Sequence, residues 1–150
     1  MKIDFLDGLE VNEQDILTFE EGILGFEHLK EYILLNHDTL EEPVTFKWLQ
    51  SIKDQDVGFM VAYPYGLIDH YEIELAEADV KALNLDSEED VAVYVIITMA
   101  KEFIYSTANM KSPIVINSKN KKAKQIILND TQYRLKYPFG EYLKQNLELK

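Results

Sequence analysis

Val91-Ala92-Val93-Tyr94-Val95-Ile96-Ile97-Thr98-Met99 decides the fold class. Apolar side chains fall on both alternating faces of this run and β-branched residues dominate it, as in a strand buried on both sides. It predicts a central strand. Outward from it in both directions, apolar residues recur in short runs with a period near two, punctuated by Gly, Pro, Asn and Asp, which is the pattern of strands and turns. The further runs are Ile3 to Leu6, Asp15 to Phe19, Tyr32 to Leu35, Phe46 to Gln50, Phe59 to Tyr63, Tyr71 to Leu75, Phe103 to Thr107, Ile114 to Asn117 and Lys124 to Leu128.

One stretch departs from this pattern. Glu77-Ala78-Asp79-Val80-Lys81-Ala82-Leu83 joins helix formers to early acids and sets Val80 and Leu83 on one face, which predicts a short helix. Its expected place is over a barrel mouth or a sheet edge, since short strands must close on themselves or be covered. Lys119-Asn120-Lys121-Lys122 separates two apolar runs as a hairpin tip, and Gly140 to Lys150 is expected to fray or to form a weak helix. The prediction is an all-β, barrel-like fold of short antiparallel strands with one short helix. At 150 residues it is expected to be a single domain over 1–150.

Composition narrows the function. Apolar residues make up 47%, enough for a sizeable core and too much for a disordered chain. The absence of cysteine removes disulfides, thiolate metal sites and thiol nucleophiles, and fits a reducing cytoplasm. No apolar run approaches the ~18 residues of a membrane span, and the N-terminal residues lack a signal-peptide core. The net charge of -12 opposes generic binding to a phosphate backbone. Acids and bases are unevenly spread: through Met110 there are 6 basic and 24 acidic residues, and from Lys111 onward 9 basic and 3 acidic. Folding either segregates these into two faces or intermixes them.

No catalytic or metal motif stands out. His28, His37 and His70 have no paired spacing for a metal, Asp69-His70 lacks a serine elbow to complete a triad, and Asp54 to Gly58 is an incomplete calcium loop that fits a turn better. Carboxylate pairs abound in so acidic a chain, which keeps a carboxylate-dependent hydrolase open as an alternative. Gly22-Ile23-Leu24-Gly25 has the spacing of a nucleic-acid backbone clamp, but Glu20, Glu21 and Glu27 flank it, so a tight turn is the better reading. The Lys119 to Lys124 cluster lacks interleaved aromatics. It fits a solvated hairpin, with a small RNA-binding barrel as the rival. Tyr63-Pro64-Tyr65-Gly66 places two aromatics around a Pro at a strand end, where partner anchors occur.

Phe19-Glu20-Glu21-Gly22-Ile23-Leu24-Gly25-Phe26-Glu27, Trp48-Leu49-Gln50-Ser51, the run from Thr107 to Asn117 ending Pro-Ile-Val-Ile-Asn, and Ala123 to Leu128 resemble, in order and spacing, the FliW flagellar assembly factors. Met110 and Ser112 stand where that family carries Leu and Ala, and Tyr65-Gly66-Leu67 is less bulky than its usual stretch. The resemblance implies a cytoplasmic, non-enzymatic, β-barrel-like protein with no cofactor and no bound metal, membrane or nucleic acid. It implies two alternative partners: flagellin, bound through its C-terminal region, and CsrA, an RNA-binding dimer that represses flagellin translation and is antagonised by the flagellin-free factor.

Electrostatics supplies a rationale, since an acidic protein is steered toward an RNA-binding surface and, once docked, repels phosphate within ~10 Å. The candidate acids for this are Glu20, Glu21, Glu27, Glu88, Glu89 and Asp90. Phe26, Tyr63 and Tyr65 are the candidate flagellin anchors, and Asn109 and Asn117 either cap turns or contact a partner.

Overall fold

The computed structural model describes residues 11–36, 46–129 and 132–148. Among the described residues eight strands form, β1 (Leu17–Phe19), β2 (Glu31–Asn36), β3 (Phe46–Ser51), β4 (Gly58–Ala62), β5 (Val91–Thr98), β6 (Thr107–Ala108), β7 (Ile114–Asn117) and β8 (Lys122–Gln125). Seven of them close into a barrel in the order β1-β2-β3-β4-β5-β7-β8, and β6 extends the pairing of β5. Neighbours are antiparallel except at the closure, where β8 runs parallel to β1 with Thr18 opposite Lys122. The predicted strand Ile3 to Leu6 lies outside the described residues.

Alternation along the strands separates two apolar layers. Phe19, Tyr32, Leu49, Val61, Tyr94, Ile114 and Ala123, one from each barrel strand, fill the interior. Phe46, Ala62, Val93, Val95, Ile97 and Val115 face outward into a second core, closed by Leu67, Tyr71, Leu83, Tyr133, Phe139 and Leu143 from the chain that wraps the wall. β5 is therefore buried on both faces, as its composition predicts. One barrel end is stoppered by the loop after β1, whose Ile23 and Leu29 enter the interior while Phe26 packs edge-on against Phe59. Gly22 permits this fold-back: its φ is +70°, and a Cβ there would meet the Glu27 Cα at 2.5 Å.

The predicted helix over 77–83 is α1 (Glu77–Ala82), and the C-terminal segment forms α2 (Phe139–Glu148). Three predicted strands differ. Tyr71 to Leu75 joins no ladder among the described residues, because Tyr71 and Tyr133 pack the segment onto the outer core by side chains. Phe103–Tyr105 is a 3-10 turn before the two-residue β6, because Ser106 Oγ accepts from the Ala100 amide and α2 packs against the turn. Lys124 to Leu128 starts earlier, at Lys122, and its ladder stops at Gln125, with two later bonds from Ile126 and Leu128 to the carbonyls of Pro113 and Lys111.

Candidate functional site: an aromatic groove with an acidic rim

β4 ends where the chain turns through Pro64, and this turn sets Tyr63 and Tyr65 at the surface, 42% and 60% exposed. Tyr63 is held rigidly. Its ring stacks on Tyr94 at 4.7 Å, the Tyr94 hydroxyl donates to the Tyr63 oxygen at 3.1 Å, and Lys47 Nζ lies 5.4 Å from the Tyr63 ring centre. The bond from Tyr94, with the Lys47 charge nearby, holds the Tyr63 phenol below its ordinary pKa. Burial first, then the same bond, pushes the Tyr94 phenol well up. Both rings are fixed before any partner arrives, so little side-chain entropy is lost on contact.

Beside these tyrosines runs a groove of about 880 Å³. Ile73 and Leu75, Val80 and Leu85, and Val91 and Val93 supply its apolar surface, from the extended segment, the α1 region and β5 respectively. Its charged lining residues are all acids: Glu74, Asp86 and Glu88. α1 keeps its place because its C-terminal carbonyls are capped from the β7–β8 hairpin. Asn117 Nδ2 donates to Leu83 O at 2.9 Å and to Asn84 O at 3.2 Å, and Asn120 Nδ2 donates to Leu83 O. Such a surface can hold an amphipathic segment, its apolar side on the floor and its basic side against the rim.

Tyr63, Tyr65 and Glu88 thus come together, and the other sequence candidates lie elsewhere. Phe26 is half-buried in the stopper of the opposite barrel end. Glu27 accepts from the Gly25 amide, which with its own amide lowers its pKa. Glu20 pairs with Lys122 and Glu21 with Lys124, each at 3.5 Å, while Asp90 pairs with Lys119 at 3.4 Å. Lys124 also donates to Asp79 at 2.7 Å, which raises its pKa. Here the opposite charges of the two chain segments intermix, and the lysine hairpin is largely neutralised. Glu89 is exposed on the 3-10 turn capped by Ser87. Asn109 Oδ1 accepts from the Ser112 amide and Asn117 caps α1, so both amides act within the fold.

Sequence reasoning missed Glu74, Asp86, Val80 and Leu85 as parts of one surface. A local signal existed in the alternation Ile73-Glu74-Leu75, but Leu85 reaches the groove only because Asn84 takes a positive φ of 51° after α1.

The family model described as FliW protein matches residues 2–139. The chain belongs to the FliW family. It is 39% identical over 132 residues to a protein of Bacillus subtilis strain 168 named flagellar assembly factor FliW, covering 88% of this chain and 90% of that one. The protein of that name from Caldicellulosiruptor saccharolyticus is 37% identical over 140 residues, with 93% and 90% covered. A crystal structure of the flagellar assembly factor FliW superposes with a TM-score of 0.80 at 39% identity, covering 87% of this chain and 89% of that one. The seven-stranded barrel described above is thus a FliW fold, and the match spans both walls of the groove.

Proposed function

We propose that this FliW-family protein is a non-enzymatic flagellar assembly factor of the cytoplasm. It binds flagellin through the C-terminal region of that protein and, when free of flagellin, binds and antagonises CsrA. The observation that carries this reading is the groove: two pre-fixed tyrosines above an apolar floor, rimmed by acids. An amphipathic flagellin segment meets its needs there, with Tyr63 and Tyr65 as anchors. Glu74, Asp86, Glu88 and Glu89, with Glu27 at the other barrel end, pair with no lysine of the hairpin and are able to project a negative field toward an RNA-binding partner, whereas Glu20, Glu21 and Asp90 are screened by lysines.

The same ion pairs weaken the rival reading of an RNA-binding hairpin, because Lys119, Lys122 and Lys124 already face carboxylates. The test is a titration of purified protein into CsrA bound to flagellin messenger RNA, followed by addition of flagellin. RNA release that flagellin reverses, and that weakens as salt rises, is the expected result. Failure to bind either protein refutes the proposal, and RNA retention by the protein alone supports the rival.

A further inference from the structure

The strand-like sequence Tyr71 to Leu75 has no ladder partner among the described residues, yet its exposure alternates as in a strand, with Tyr71 buried, Ile73 and Leu75 half-buried, and Glu72 and Glu74 exposed. Glu72 N–H donates to the Tyr133 hydroxyl, but the main-chain groups of Ile73, Glu74 and Leu75 make no hydrogen bond to other described residues. Facing this segment across a second groove, of about 500 Å³, is the extended continuation of β8. There the amides of Ile126 and Leu128 bond toward Pro113 and Lys111, so Ile127, between them, directs its N–H and C=O the other way. Ile127 is 58% exposed, and its main chain likewise has no partner among the described residues. Two walls whose main-chain groups are unbonded among the described residues thus line one groove. Neither wall belongs to a barrel strand, so the closure of the barrel does not supply partners for these groups.

We propose that this groove binds an extended segment of a partner protein by strand addition, and that the segment alternates apolar with basic residues. The main-chain complementarity sets the conformation. Ile73, Leu75 and Ile127 ask for apolar side chains on the inward face. The charge of the groove sets the rest: its charged lining residues are Glu72, Glu74 and Asp79, all acids. Asp79 is already bonded to Lys124, so Glu72 and Glu74 carry the selection for lysine or arginine. This site lies on the other side of the 73–75 ridge from the tyrosine groove and does not depend on flagellin or CsrA being the partners.

The test uses the intact protein and a labelled, end-capped peptide of about six residues, the common strand length, alternating valine and lysine. Three results are expected. The amides of Ile73, Leu75 and Ile127 become protected from hydrogen exchange on binding. N-methylation of alternate peptide residues, which deletes the inward donors, weakens binding about tenfold or more. Glu74→Lys weakens the lysine peptide and favours a valine–glutamate peptide. Ile127→Pro, which removes an unbonded amide, should match the N-methyl effect without loss of thermal stability. Equal binding of the N-methylated peptide, protection confined to other residues, or no detectable binding overturns the inference. Because no flagellar protein enters the assay, its failure leaves the proposed function standing, and failure of flagellin and CsrA to bind leaves this inference standing.

Discussion

Replacing Gly140 by alanine sets intrinsic helix preference directly against tertiary packing. Gly140 lies in the first turn of α2, where alanine is favoured over glycine by up to ~1 kcal/mol on propensity. The structure predicts the opposite sign. A Cβ on residue 140 would overlap the carbonyl oxygen of Phe103 and approach the Ile104 carbonyl at 3.0 Å, and these are backbone atoms that cannot rotate away. The start of α2 must retreat by about 1 Å to restore ordinary contact. That motion pulls on Phe139, which is fully buried between Phe103, at 5.6 Å between ring centres, and Phe46, at 6.1 Å.

Overpacking of this kind costs ~1–3 kcal/mol. Because the overlap is with backbone, the cost falls in the upper part of that range, ~2–3 kcal/mol; less a propensity gain of ~1 kcal/mol, the net loss is about 1–2 kcal/mol, or roughly 2–8 °C in Tm at ~2–4 °C per kcal/mol for a chain of this size. Urea and thermal unfolding, followed by Trp48 fluorescence and circular dichroism, measure it. The exposed helix residue Gln145 serves as the control, since Gln145→Ala should change stability by less than ~0.5 kcal/mol. A Gly140→Ala protein as stable as the parent would refute the reasoning, because it would mean that α2 does not sit on the 103–104 backbone.

Tyr65→Ala should weaken flagellin binding more than Tyr63→Ala. With ~200 Å² for an aromatic side chain and ~25 cal/mol per Å², their exposed portions offer at most ~3 and ~2 kcal/mol, or roughly 150- and 30-fold in Kd by calorimetry. Affinities unchanged in both would place the anchors elsewhere. Asn117→Ala strands the Asn84 carbonyl and the Lys119 amide, while Leu83 O keeps Asn120. A loss of about 2 kcal/mol in urea unfolding is expected, and a neutral result would show that the α1 cap does not contribute.

Tyr32 is buried and its hydroxyl has no partner among the described residues, so Tyr32→Phe should leave stability equal or raise it by about 1 kcal/mol. Burial also pushes the Tyr32 phenol up from 10.0 to about 12. A raised pKa in the folded state means that its contribution is whole below pH 10 and falls as pH rises toward 12, so the mutant's stability should decline less steeply across that window. Parallel pH profiles for the two proteins would contradict this.

The barrel was legible wherever a short-range pattern coincided with a strand partner. Val91 to Thr98 announces burial on both faces through its composition, and the structure supplies an interior layer for Tyr94 and an outer layer for Val93 and Val95. Helix α1 and the hairpin after β7 follow from local acids, helix formers and polar turn residues in the same way. Tyr71 to Leu75 carries an equally good strand pattern and pairs with no strand among the described residues. Alternation records which side chains meet an apolar surface; whether a neighbour occupies the hydrogen-bonding edge depends on residues distant in the chain.

For the candidate site, sequence marked Tyr63, Tyr65 and Glu88 through composition and turn position, but their convergence with Val80, Leu85 and Glu74 required the fold. Charge shows the division most clearly. The amino-acid sequence by itself determined a net charge of -12, with an acidic first part and a basic last part. Only the tertiary structure decided that Lys119, Lys122 and Lys124 are spent on Asp90, Glu20, Asp79 and Glu21, while Glu74, Asp86 and Glu88 on the tyrosine groove have no lysine partner among the described residues. The reason is physical: total charge is additive along the chain, whereas the field at a surface depends on separations of a few ångströms that chain closure alone sets.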